Sequence, residues 1–476
     1  MSEDFIPYII DNFRGGVSDE DDKGIKGSFK YGYSLNIHKR RDSLTCNQAM
    51  LTIGGGTVTD LCNYFVSGTD GSTYAFGNSG KIYAITGDTD HTVTLMHTDA
   101  NGEVKGAAEW GLSDGSYYLY WATNTMISRK AKSTSGYSDW GDANAWKTEL
   151  VGASDYHPMK RASGGLVIGN VNFLGFIEYS GGWNPIAMNV EPGNTVKCLE
   201  SRGDYTIMGS ANLDAGEEGH IWKWITSATN YVDKKKIPVK GVNTLIDAEI
   251  GLLQGGVDGE IFLSDFTNTE PQASIPSGGY AKPGGSTIDN DLALFSIYGT
   301  YPGLWSYGRR SRNRPSVLNQ EYRFAQTVAG NTITDLGGCI SNNNTVYAGW
   351  KTAAAYGIDL VSSTTKATAL YEGLEFDGGS PHLTKYFRDV HVTMAPLPSG
   401  TSIAVKAKAD KGSWVTLNTA SGSASYSTAD STEAVFLLDV KAKTIEIGVT
   451  LTPTVNTSPE VLSITTYVEK ETSGYS

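Results

Sequence analysis

The feature that most constrains this chain is a recurring unit of two short apolar runs separated by a glycine-rich turn. It is clearest at Leu252–Phe266, LLQGGVDGEIFLSDF, where Gly255, Gly256, Asp258 and Gly259 supply the turn chemistry of a β-hairpin. Tyr74-Ala75-Phe76 leads through Asn78-Ser79-Gly80 into Ile82-Tyr83-Ala84-Ile85 in the same way, and Tyr205–Met208 leads to Ile221–Trp224. Leu292–Phe295 leads to Leu304-Trp305, and Val346–Ala348 to Gly357-Ile358, while weaker copies end at Met126-Ile127 and Phe176-Ile177. From Ile82 to Ile358 the anchors Ile82, Met126, Phe176, Ile221, Ile261, Leu304 and Ile358 advance by about 46 residues per step. A four-stranded propeller blade needs ~40–50 residues. The spacing therefore predicts seven blades.

The predicted fold is all-β: a seven-bladed β-propeller with an N-terminal extended arm and a C-terminal β-sandwich. Residues 1–45 form the arm, because Phe5–Ile10 is strand-like but broken by Pro7, which favours an edge or extended position. Residues 46–375 carry the propeller, with units at 46–100, 101–152, 153–193, 194–239, 240–280, 281–327 and 328–375. Residues 376–476 contain about six alternating strands, among them Phe387–Met394, Ser402–Lys408 and Thr444–Leu451, which read as a sandwich. The 56 glycines and 26 tyrosines suit strands and tight turns. Leu119, Trp121, Ile168, Phe173, Trp222, Trp224, Leu263 and Trp305 are expected to pack between blades.

A net charge of −13 argues against a protein built to grip nucleic acid, which needs a basic face. Cys46, Cys62, Cys198 and Cys339 are far apart with no CxxC pair, so they read as small buried hydrophobes rather than zinc ligands or a disulfide framework. The start, MSEDFIPYII, lacks the pattern of a signal peptide, and no apolar run approaches a transmembrane helix; a soluble protein made in the cytoplasm is expected.

The search for catalytic chemistry is negative. There is no GxSxG, HExxH, P-loop or dinucleotide fingerprint, and the seven histidines show no paired ligand spacing. The run Asp19–Asp22 lacks the alternating ligands of a calcium loop and reads as solvated. A glycan hydrolase would need paired carboxylates drawn from several blades into the central channel, which a sequence does not display. The turn Ser138–Asp142 only echoes the Ser-x-Asp-x-Gly-x-Thr-Trp repeat of sialidase propellers. No catalytic residue, cofactor or metal ligand is therefore assigned. One charged cluster stands out: Arg309, Arg310, Arg312 and Arg314, suited to phosphate or to an acidic face of a neighbouring subunit. His38-Lys39-Arg40-Arg41 reads as an exposed basic turn.

The arm Asn12-Phe13-x-Gly15-Gly16, the Tyr/Trp-rich degenerate repeats and the C-terminal strand-rich segment together resemble the propeller-type structural proteins of tailed-bacteriophage tails, the tail nozzle and tail-tip proteins. The resemblance covers nearly the whole chain and rests on architecture more than on motif. It implies a non-enzymatic virion protein assembled in the host cytoplasm, a homo-oligomeric ring (a hexamer being favoured), other tail proteins as partners, and DNA passing without specific binding. The residues expected to make assembly contacts are Asn12, Phe13, Arg14, Asp19, Asp21, Asp22, Arg309, Arg310, Arg312 and Arg314. The alternative is a glycan-binding or glycan-cleaving propeller, marked by carboxylates and exposed aromatics in the central channel.

Overall fold

The computed structural model describes residues 5–18, 26–38, 42–152, 155–310 and 312–470. The chain is all-β and divides into two compact units. One, here the repeat unit, comprises Leu51–Leu304 and Phe324–Leu360; the other, the two-sheet unit, gathers Met1–Met50, Trp305–Arg323 and Val361–Ser476.

In the repeat unit, five four-stranded antiparallel sheets follow one another along the chain. The first is Cys62–Ser67, Thr73–Gly77, Lys81–Thr86 and Thr92–Thr98; the second is Gly106–Gly111, Tyr117–Ala122, Ile127–Ala131 and Asn144–Lys147. Three more start at Met159, Asn194 and Thr244. Then come the hairpin Tyr280–Asp289 with Leu292–Tyr298, and a last sheet containing Ile333–Asn342, Thr345–Thr352 and Tyr356–Lys366. Each sequence anchor falls on the third strand of its repeat, apart from Met126, which immediately precedes it. The sixth repeat departs from the expectation of equal blades. Trp305–Arg323, which holds most of its third and fourth strands, belongs compactly to the other unit.

Period-2 alternation gives these sheets two apolar faces, and neighbouring sheets cover them from the first to the fifth. Phe76 and Ile82 of the first sheet share a core with Leu119 and Trp121 of the second, and Met208 and Trp222 of the fourth pack with Val167 and Leu174 of the third. Ala75, Tyr83 and Ile85 of the first sheet also pack with Tyr347, Ile358 and Leu360 of the last, so the series closes on itself. The first strands of successive sheets are neighbours all the way round, from Cys62–Ser67 to Ile333–Asn342 and back. They approach closely: a Cβ on Gly337 would stand 1.9 Å from the Cys62 carbonyl oxygen, so only glycine fits. All four cysteines are free and buried, and burial pushes the Cys46 thiol up to about 11 and the Cys339 thiol up to about 12.

In the two-sheet unit, one sheet runs Phe5–Ile10, Glu460–Lys470, Lys385–Met394, Glu433–Ala442, Asn418–Thr419, with Leu44–Thr45 also on Glu460–Lys470. The other contains Tyr31–Tyr33, Ala369–Glu372, Ile445–Thr452, Ser402–Ala409 and Val415–Thr416, with Val317–Tyr322 parallel to Tyr31–Tyr33. Both sheets contribute to one core: Phe387, Val390, Phe436 and Ile464 from the first, Tyr371, Ile403, Val405 and Val449 from the second. Phe13, Phe29, Leu35, Leu44 and Cys46 fill the same core. The N-terminal region is therefore not an extended arm. Phe5–Ile10 takes the edge place that Pro7 permits, paired residue for residue with Ile464–Glu469, and the apolar residues behind it complete the core.

Candidate functional site

Three places in the fold gather polar chemistry. The first is a cavity of about 230 Å³ in the repeat unit, where the approaches to the first strands of distant repeats converge. Tyr64 comes from the first sheet, Glu103 and Asp155 from the segments leading into the second and third, Lys282 from the sixth repeat and Asp335 from the last. Lys282 forms an ion pair with Asp335. Desolvation raises the Glu103 carboxyl; Lys105 opposes that shift and Asp155 reinforces it. Desolvation also pushes the Tyr156 phenol up to about 12 and holds the Tyr64 phenol well above its usual value, so both remain neutral hydrogen-bonding groups. Carboxyl groups beside tyrosines suit a polar or cationic ligand. Sequence reasoning assigned none of these residues. The available signal was positional: Glu103 and Asp155 each stand a few residues ahead of the first strand of a repeat.

The second place lies in the two-sheet unit, around Asn12–Gly16. Asn12 accepts a hydrogen bond from the Arg14 backbone N–H at its side-chain oxygen (3.0 Å), which turns the chain. Phe13 is 2% exposed and meets Tyr371 edge-on at 5.4 Å, so it is a core residue and not an assembly contact, contrary to expectation. A Cβ on Gly15 would stand 2.2 Å from the Ser28 backbone nitrogen, which explains a glycine there. Arg14 is ion-paired with Asp42 of the same chain. Asp19, Asp21 and Asp22 lie outside the described residues.

The third is the arginine cluster. Arg312 is exposed, Arg309, Arg310 and Arg314 are half-buried, and Arg309 donates to the Arg312 carbonyl at 3.2 Å. Close to it in sequence, Ser306, Asn319 and Glu321 form a buried polar network with His38 and Asn47. His38 Nε2 and Ser306 Oγ are 3.0 Å apart; Ser306 Oγ and Asn319 Nδ2 donate to Glu321 Oε2 at 2.9 and 2.8 Å; Asn47 Nδ2 donates to Oε1 at 2.7 Å. Burial lowers the His38 pKa, the Glu321 charge opposes this, and Arg310 and Arg314 add to it. His38, read from sequence as part of an exposed turn, is thus the buried end of that run. Its partners are more than 250 residues away in sequence, as the 268-residue separation from Ser306 shows, and no local pattern reveals them.

Among the described residues no cluster of histidine, cysteine and acidic side chains could hold a metal ion, and no helix is long and apolar enough to cross a membrane. No protein-family profile matches the chain, nor does any curated protein sequence. Solved structures similar to it include the extracellular domain of BT4673 from B. thetaiotaomicron, at 14% identity over 78% of this chain and 45% of that one, with a TM-score of 0.47. The WD40 β-propeller domain of Doa1 is similar at 14% identity, covering 66% of this chain and 96% of the other (TM-score 0.45). The β-propeller domain of Myceliophteria thermophila Cps50 (Swd1) is similar at 10% identity over 66% of this chain and the whole of the other (TM-score 0.46).

Proposed function

We propose that this chain is a non-enzymatic structural subunit of a bacteriophage tail: a seven-bladed β-propeller joined to a β-sandwich, assembling into a homo-oligomeric ring in the virion. In this reading the ring contacts other tail proteins and guides or gates DNA exit without binding DNA specifically. The observation that supports it is the combination of repeated four-stranded sheets with a second, two-sheet unit, the architecture on which the resemblance chiefly rests, with Asn12-Phe13-Arg14-Gly15-Gly16 built into that second unit. Asn12 turns the chain, Phe13 fills the core and Gly15 stands where no side chain fits, so the segment is a folding corner rather than a chance string. The test is immunogold labelling of particles released from the source culture, paired with sedimentation of the purified chain. Gold on phage tails together with a discrete ring-sized species is expected; unlabelled particles with a strictly monomeric protein would sink the reading.

A glycan-binding or glycan-cleaving propeller is the second reading, favoured by the axial cavity. Glu103, with its raised carboxyl, and Asp155 come from different repeats and sit with Tyr64 and Tyr156 in one space. Glycosidic acid catalysis uses two carboxyl groups of which one has a raised pKa. Turnover of a nitrophenyl-glycoside panel, abolished by Glu103→Gln, would support it; no turnover and no sugar binding that depends on Glu103 would end it.

A further inference from the structure

A second cavity, unrelated to the axial one and independent of the tail-protein reading, opens between the first and last sheets of the repeat unit. Its walls are three turns: the one before Thr73, the one from Gly87 to His91, and the one joining Ile333–Asn342 to Thr345–Thr352. Its volume is about 410 Å³. Small-molecule sites span ~300–1,000 Å³, so this cavity falls inside that range, whereas the axial cavity falls below it.

We propose that this crevice binds a neutral saccharide, about one or two sugar rings in size. The lining decides the class. Thr73, Asn342, Asn343 and Tyr347 present hydroxyls and amides, His91 an imidazole, and Asp88 the one carboxyl group. An anion would meet Asp88, an apolar ligand would find scarcely more apolar wall than Ile85, and a metal ion would lack a third acidic or nitrogen ligand. A polyol alternates donors and acceptors, and this surface does too.

The groups are also held in place before any ligand arrives. Asn342 is tied at both ends, accepting from Ser67 Oγ and donating to Thr73 Oγ1, each at 2.8 Å. Thr73, one of the lining residues, is buried. Tyr347 Oη lies 2.9 Å from His91 Nδ1; when the phenol donates, Nε2 carries the ring proton and is left as a donor. His91 and Asn343 hold left-handed backbones, φ 43° and 49°, so both turns are fixed in unusual conformations. Preorganised polar groups of this kind bind without ordering side chains on arrival.

The experiment is saturation-transfer NMR on the full chain with glucose, galactose, mannose, N-acetylglucosamine and N-acetylgalactosamine at millimolar concentration, followed by titration of whichever sugar responds. Asp88→Ala and Asn343→Gly alter exposed turn residues, and glycine keeps the left-handed backbone at 343. Each removes hydrogen bonds to the sugar and is expected to weaken binding about tenfold. Glu103→Gln in the axial cavity should leave affinity unchanged. No response from any sugar, affinity that survives both crevice variants, or affinity lost on Glu103→Gln would overturn the proposal.

Discussion

The repeat unit and the two-sheet unit are both antiparallel β structure, yet they are assembled by opposite rules. In the repeat unit five sheets are each built from one continuous stretch, such as residues 62–98, and their hairpins join strands by short turns. In the two-sheet unit, three chain segments share one core, the first of them cut off from the others by the whole stretch Leu51–Leu304, and Phe5–Ile10 pairs with Glu460–Lys470 at the far end of the chain. Local construction leaves a periodic trace in the sequence. Non-local construction leaves none, because the partner strand can lie anywhere and its closure is costly until the core forms.

Deleting residues 1–45 should break this comparison most severely. The deletion removes Phe13, Phe29, Leu35 and Leu44 from the two-sheet core, and at ~2–5 kcal/mol for each large buried side chain the combined loss is comparable to the ~5–15 kcal/mol that a domain has in total. Limited proteolysis should then degrade 361–476 while a fragment spanning 51–304 persists; a protected C-terminal region would mean that the N-terminal strands are accessory.

A matched pair of point changes sharpens the comparison. Phe13→Ala should cost the two-sheet unit about 3–5 kcal/mol, and Trp222→Ala, which also removes the indole N–H that donates to Ser210 Oγ at 2.9 Å, should cost the repeat unit a similar amount. Urea unfolding followed by hydrogen exchange at residues of each unit should show each loss confined to its own unit. Loss in both units from one substitution would mean that they unfold as one.

Acid should act on the two-sheet unit through His38 and on the repeat unit through His157 and His220, all three buried with pKa values lowered by desolvation. His157 lies between the Gly169 and Asn124 carbonyls. Folding therefore favours the neutral ring. The stability this gives is complete above the unfolded value of about 6.5 and is lost as pH falls through the folded value, because the unfolded chain binds the extra proton first. Unfolding measured from pH 7.5 downward should show this acid slope removed from the two-sheet unit by His38→Gln, and reduced in the repeat unit by His157→Gln with the remainder lost when His220→Gln is added. Unchanged slopes would assign the acid response to other groups.

The smallest effect on folding is expected from changing Arg309, Arg310, Arg312 and Arg314 together to Ser, about 0.5 kcal/mol per position, since none of the four is buried. Self-association measured by sedimentation should weaken instead. Unaltered association would leave the cluster as a solubilising loop.

The sequence was legible where its signal was periodic. The 46-residue spacing placed third strands correctly because the first three strands of each repeat are consecutive in the chain, and Trp121, Trp222 and Trp224 were readable as core from strand alternation. It misled where residues act at a distance. Phe13 looked like part of a contact arm because nothing nearby announces that Tyr371 will cover it. His38 looked exposed because its neighbours in sequence are basic, whereas its neighbours in space are Ser306 and Glu321. Glu103, Asp155 and Asp335 carry no motif at all; they become a site only when the repeats turn their leading segments toward one place.

By itself, then, the sequence determined that the chain is β structure, where its repeats fall and which aromatics they bury, since alternation and turn chemistry act over a few residues. Only the tertiary structure decided that the first fifty residues complete the core of the last hundred and that acids from distant repeats share a cavity. It also decided that His91 meets Tyr347 across 256 positions. Those contacts depend on how sheets pack and close, and packing is a property of the whole chain.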